Sequence, residues 1–197
     1  DNLRPLLLSQ DYICDFIVYK GQSVDYDMDV IRLQTFVNSP NGNINRWPFY
    51  AFPQLVCDLS DKWLYLSKRE DVSGKAILNF TSRYRATWIS YYFLEQYKDK
   101  ILFSGLPKEH EVFCKKWNLD LPLLEISDFL DLAKAIKGCK FFLGNASMQF
   151  QIAEGLKIPR ILEIFPLMPN VIPTGAGSHD FYHQQAAELY IHQQFNK

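Results

Sequence analysis

The sequence predicts an α/β fold built on a parallel sheet with helices on both faces. Three observations predict it. From residue 76 onward, short apolar runs at 76–80, 101–104, 123–126, 140–143 and 160–164 alternate with helix-length segments at 88–97, 108–117, 128–137 and 147–156. Strands that alternate with helices of this length imply βαβ units. The strand runs are apolar throughout, not alternating in and out, as expected when helices cover both sides of a sheet. Finally, residues 137–165 hold a complete unit of strand, Gly-Asn turn, helix and strand. There Gly144 ends the apolar run, Ser147 can cap the helix, and Gly155 and Pro159 bound its end.

The elements before residue 76 are less regular. Residues 3–9 read as a short helix with Pro5 in its first turn. Residues 12–19 (YICDFIVY) are apolar and β-branched enough for a strand, and Lys20-Gly21-Gln22 turns the chain. The acidic cluster Asp25, Asp27 and Asp29 either binds a cation or simply starts a helix and faces water. Residues 38–45 (NSPNGNIN) are the most loop-like stretch. An aromatic helix is expected over 47–56 and a short strand over 63–66. The polar segment 67–75 marks a boundary, which gives a partial smaller α/β lobe over 1–72 and a Rossmann-like domain over 73–197. Residues 180–195 read as a closing helix.

Composition narrows the function classes. The chain has 197 residues, 48% hydrophobic and 22% charged, which suits one full domain plus part of another. A net charge of −1 with scattered Lys and Arg argues against bulk nucleic-acid binding. No apolar stretch is long enough to span a membrane, and no three-part signal peptide is present. The start at Asp1, not Met, leaves room for an upstream segment. Cys14, Cys57, Cys114 and Cys139 form no CxxC pair and join no histidine in a zinc pattern, so free thiols in a reducing, cytoplasmic setting are expected. His179 and His183, four apart, are either a metal pair or ordinary helix-surface residues; no third ligand is evident, and no metal is assigned.

In a parallel sheet, the residues that follow each strand share one rim, and ligands bind in the crevice beyond it. Gly144-Asn145-Ala146-Ser147 is either a tight turn or an anion site, where free N–H groups and the helix dipole meet a phosphate. Arg83 and Arg85 follow the first strand of the regular region and are either a guanidinium pair for a diphosphate or surface residues. Gly105 permits close backbone approach to a base or ribose. Glu109 and Glu163 either accept ribose hydroxyls or serve as a helix-start and a strand-end acid. The chain contains no GxxxxGK[ST], GxGxxG or GxSxG motif, so P-loop, classical dinucleotide and serine-hydrolase chemistry are not indicated.

These residues carry a resemblance. Leu132-Ala133 and Ile136, Gly144-Asn145, Ser147 and Ile158-Pro159, together with the Gly105-Leu106-Pro107-Lys108-Glu109 turn, resemble the heptosyltransferase-like glycosyltransferases of family 9, which have the type B fold. The resemblance covers about 76–173. It implies a two-lobed enzyme whose second lobe holds a nucleotide-diphosphate sugar as donor, without a cofactor and usually without a metal. It also implies that Ser147 and the N–H groups around it meet the diphosphate, with Arg83 or Arg85 as the basic residue. The sugar, the base and the acceptor stay open. The chain departs from the family pattern at Ala146, Met148-Gln149 and Gln151, and it lacks the Gly-Asp turn that carries the family's catalytic base. No catalytic residue is therefore assigned, and a non-catalytic nucleotide-binding module or a structural protein that retains the fold is the alternative.

Overall fold

The computed structural model describes residues 2–33 and 42–197. Its centre is a five-stranded sheet in the order β2-β1-β3-β4-β5, with β1 at Ala76–Asn79, β2 at Ile101–Phe103, β3 at Phe141–Asn145, β4 at Arg160–Glu163 and β5 at Ser178–Phe181. All four pairings are parallel. The chain passes from β1 outward to β2 and from β3 outward to β4, so the direction of winding reverses between β1 and β3. Their register pairs Ala76 with Phe141 and Asn79 with Gly144. Open α/β sheets bind ligands beyond the carboxyl ends of the strands at such a reversal.

The strand side chains divide by parity between two cores. Ala76, Leu78, Ile101, Phe103, Phe141 and Leu143 face one core, closed by α3 (Pro107–Trp117) and α6 (Gln184–Asn196). Ile77, Leu102, Phe142 and Leu162 face the other, closed by α4 (Phe129–Gly138) and α5 (Met148–Leu156). This is the period-2 geometry of strands buried on both faces. The second core also takes Leu6 from α1 (Arg4–Leu8), Leu64 and Val72. Residues from before the sheet are thus packed into the same apolar cluster as the sheet.

The structure differs from the sequence reading at several elements. The region before Ala76 has α1, a short α2 (Trp47–Ala51) and 3-10 turns, but no strand among its described residues. Residues 12–19 and 63–66 have strand composition but no neighbouring strand to pair with among the described residues. The N–H groups of Trp63 and Leu64 instead donate to the Gly155 carbonyl, both at 3.0 Å. The loop expected at 38–45 lies partly outside the described residues; from Ile44 on it is a 3-10 turn capped by Asn43. Residues 123–126 reach only a single bridge, Leu123 with Phe103. The helix expected at 88–97 is a 3-10 segment shifted to Tyr92–Lys100. The closing helix starts only at Gln184, because the residues before it form β5.

α4 ends against the boundary segment. The Arg69 N–H donates to the Lys134 carbonyl at 2.9 Å, and a Cβ at Gly138 would lie 2.0 Å from the Arg69 carbonyl oxygen. Gly138→Ala is therefore expected to push the 69–72 segment off α4 and to cost about 1–3 kcal/mol, read as a lowered urea midpoint. A change below a few tenths would mean that the segment does not pack on α4.

Candidate functional site

A cleft of about 560 Å³ opens where the winding reverses. Asn79 ends β1, Ser104 and Gly105 follow β2, and Ser147 opens α5; all four line it. Leu124, Ile126, Phe129 and Leu132 give it an apolar side. The site thus has the usual make-up of a small-molecule pocket, an apolar wall with a few converging polar groups.

Ser147 is the N-cap of α5, and its hydroxyl accepts the Phe150 N–H at 3.2 Å. By helix geometry, the N–H groups of Met148 and Gln149 have no intrahelical acceptor, and both residues line the cleft. They carry the positive end of the helix dipole. Two acceptor oxygens from cleft-lining residues, Asn79 Oδ1 and Gln149 Oε1, are buried without a partner among the described residues. Asn79 is only 1% exposed, and its amide nitrogen donates to the Ser104 carbonyl at 2.7 Å. Unpaired buried acceptors are uncommon in folded proteins, and here they call for hydroxyl or N–H donors. Gly105 sits tightly: a Cβ there would lie 3.1 Å from Glu109 Oε2 and 3.3 Å from the Asn79 amide nitrogen.

Two of the three acids that line the cleft serve local structure, and the third, Glu125, is exposed. Glu109 Oε2 accepts the Leu106 N–H at 3.1 Å, which ties the start of α3. Asp128 Oδ1 accepts the Asp131 N–H at 2.8 Å, which caps α4. None of the described side chains that line the cleft is cationic.

The remaining sequence-derived site residues organise the loop after β1. Asn145 is fully buried. Its Oδ1 accepts the Thr81 N–H at 3.1 Å, and its amide nitrogen donates to the Arg83 carbonyl, to the Tyr84 carbonyl at 3.3 Å and to Thr81 Oγ1 at 3.1 Å. This grip holds Tyr84 at a φ of 56°, a left-handed conformation that costs a non-glycine residue energy. Glu163 is also fully buried. Its carboxylate accepts Arg85 Nε at 2.7 Å, the Ala86 N–H at 2.8 Å and the Tyr91 hydroxyl at 2.5 Å. Burial, with the Glu163 carboxylate beside it, pushes the Tyr91 hydroxyl pKa well up.

The structure therefore divides the six residues. Gly105 and Ser147 line the cleft. Asn145 shapes the loop from below. Arg85 and Glu163 neutralise each other, so the expected pair of free guanidinium groups does not form and Glu163 has no free edge for a ribose hydroxyl. Arg83 stays exposed, its guanidinium carbon 5.6 Å from the centre of the Tyr84 ring. Sequence reasoning passed over Asn79 and Gln149; a lone Asn closing an apolar strand run was the available signal for the first. Of the histidines four apart, His179 lies in β5 and stacks on Tyr190, while His183 caps α6, so a helix does not bring them together.

No family model matches the chain, and no curated protein matches it. Among solved structures it is similar to the glycosyl transferase family 9 protein from Veillonella parvula DSM 2008, with a TM-score of 0.53 and 14% sequence identity. The match covers 78% of this chain and 53% of that one, so the chain spans about half the length of its structural neighbour. No helix of the described residues is long and apolar enough to cross a membrane. At this sequence distance the likeness shows the fold: a parallel α/β sheet of the kind found in a family 9 glycosyltransferase.

Proposed function

We propose that the chain is glycosyltransferase-like, holding a nucleotide-diphosphate sugar in the cleft beyond β1, β2 and β3 and passing the sugar to an acceptor. In this reading residues 73–197 are the nucleotide-sugar lobe of a type B fold of heptosyltransferase kind, and residues 1–72 are part of a first, acceptor-side lobe. The observation that carries it is the cleft at the winding reversal. It combines the open N-terminus of α5, the closely packed Gly105 and the unpaired acceptors Asn79 Oδ1 and Gln149 Oε1. The α5 N–H groups suit a diphosphate, and the acceptors suit hydroxyl donors of a ribose or sugar. Arg83, on the loop that Asn145 shapes, is the cation nearest in sequence to the cleft-lining Thr81.

Chemistry there is positioning plus charge stabilisation. As the glycosidic bond breaks, the departing nucleoside diphosphate gains negative charge, which the α5 N-terminus and Arg83 stabilise more in the transition state than before it. A second reading, a module that binds without turnover, is favoured by the engagement of Glu109 and Asp128 in helix starts, which leaves the exposed Glu125 as the one cleft-lining acid among the described residues free to act as a base for an acceptor hydroxyl.

A thermal-shift screen of the chain against nucleoside diphosphates and their sugar conjugates tests the reading. A ligand at a hundred times its dissociation constant adds about 2.7 kcal/mol, which is roughly 5–10 °C here. Arg83→Ala should reduce that shift while leaving the melting point without ligand unchanged. No shift with any diphosphate would overturn the nucleotide assignment. Binding without sugar transfer would select the second reading.

A further inference from the structure

A second cavity, of about 340 Å³, lies between the loop after β1 and helix α3. It shares Thr81, Leu106 and Glu109 with the main cleft, so these residues form a wall common to both. Its volume falls within the range of small-molecule sites, roughly 300–1,000 Å³.

Its lining has two distinct parts. The back is aromatic: Phe80 and Phe113 stack with ring centres 5.0 Å apart and planes 6° from parallel, and Trp117 completes the wall. Trp117 is 7% exposed, and its indole N–H has no acceptor among the described residues. A buried donor left unpaired is costly, and an acceptor atom on a ligand would recover that cost. The rim is cationic. Lys108 and Lys116 lie eight residues apart on α3 with Val112 midway, which puts all three on one helix face, and all three line the cavity. Neither lysine has an ion-pair partner among the described residues. The Lys116 ammonium lies 4.5 Å from the centre of the Trp117 ring. The one acid of the lining, Glu109, already accepts the Leu106 N–H, and the ion pair of Arg85 is with Glu163. Ser82 adds a hydroxyl, whereas that of Thr81 already donates to the Arg83 carbonyl at 3.2 Å and accepts from the Asn145 amide nitrogen at 3.1 Å.

We propose that this cavity binds a small anionic ring, a monosaccharide-sized molecule bearing a carboxylate or phosphate, at a site separate from the main cleft. Its anionic group pairs with the Lys108 and Lys116 ammonium groups. Its ring lies against the aromatic back, with an oxygen offered to the Trp117 N–H and a hydroxyl to Ser82. The assignment does not depend on what fills the main cleft.

The test follows the Trp117 indole N–H signal of the ¹⁵N-labelled chain, identified by its loss in Trp117→Phe. The probes are glucuronate and glucose 6-phosphate, with glucose and inorganic phosphate as controls. Saturable movement of that signal with one or both anionic sugars is expected, and Lys108→Ala/Lys116→Ala should weaken that binding by about tenfold or more. Both lysines are exposed, so the double variant keeps the fold, checked by its unchanged melting point. The proposal is overturned if no anionic sugar moves the signal, if glucose binds as well as the anions, or if the lysine variant binds unchanged. Inorganic phosphate binding as tightly as the sugars would also overturn it, since the aromatic back would then contribute nothing.

Discussion

Glu163→Ala is expected to destabilise the chain by about 3–5 kcal/mol and to abolish ligand binding in the cleft at temperatures where the variant is still folded. The carboxylate is fully buried and joins three groups from the segment after β1: the Arg85 guanidinium, the Ala86 N–H and the Tyr91 hydroxyl. Its removal strands all three, and the guanidinium is only partly exposed, with 17% of its side-chain surface open. Arg85 also lies 4.4 Å from the centre of the Phe80 ring, so its displacement disturbs the first core as well. A urea titration measures the loss. Glu163→Gln should fall between wild type and Glu163→Ala, because an amide oxygen can still accept the Ala86 N–H but carries no charge for Arg85. The double variant Glu163→Leu/Arg85→Leu should recover much of the loss, since it leaves no buried charge unpaired. If Glu163→Ala costs less than about 1 kcal/mol, the pair is not holding the loop, and a role for Glu163 in the cleft would be open again.

That pair also explains where the sequence stopped being informative. Arg85 and Glu163 were both readable as rim residues, and both do follow or end strands beside the winding reversal. Nothing in the sequence shows that they meet each other across 78 positions. Asn145 is a similar case. Its place after a buried run marked it as a turn residue, whereas its work is to hold the backbone of 81–84 from beneath, a long-range contact with no local pattern. Ser147, by contrast, was legible because capping is local: the residue type, the position before an apolar helix and the accepted N–H all lie within one turn.

The same contrast runs through the fold. β1, β3 and β4 were legible because strands buried on both faces read as continuous apolar runs, and each run here is followed by Gly, Asn or a turn. β5 was missed because it is an edge strand with a partly exposed sequence, Ser178-His179-Asp180-Phe181, which merges into the helical pattern after it. Residues 12–19 show the converse. Composition alone makes a strand candidate, but a strand needs a partner, and Ile17, Val18 and Tyr19 stand exposed without one among the described residues.

The edge strand depends on a buried charge cluster, and the second large effect is expected there. Glu154 on α5 is 2% exposed and Arg160 on β4 is fully buried. Glu154 Oε2 accepts Arg160 Nε at 2.5 Å, and Oε1 accepts Lys157 Nζ at 2.5 Å and the Thr174 hydroxyl at 2.7 Å. Arg160 also donates to the carbonyls of Ile158, Thr174 and Ala176, and Lys157 to that of Leu59. One carboxylate thus ties α5, β4, the loop that leads into β5 and the segment at residue 59. Glu154→Ala should cost about 3–5 kcal/mol, on the order of 10 °C in melting temperature, by leaving two cations unpaired. Burial alone would raise the Glu154 pKa, but the hydrogen bonds from Arg160, Lys157 and Thr174 outweigh it and bring the pKa below the ordinary carboxylate value. A depressed folded-state pKa gives stability that is fully present above the unfolded value, about 4.3, and is lost as pH falls through the folded value. The gap in stability between wild type and Glu154→Gln should therefore be full at pH 7 and shrink at pH 3, as wild type loses the charge that the variant never had. Urea midpoints at the two pH values measure it. An equal gap at both would mean that the carboxylate contributes through packing and neutral hydrogen bonds, and that the loop before β5 is held by something other than this ion pair.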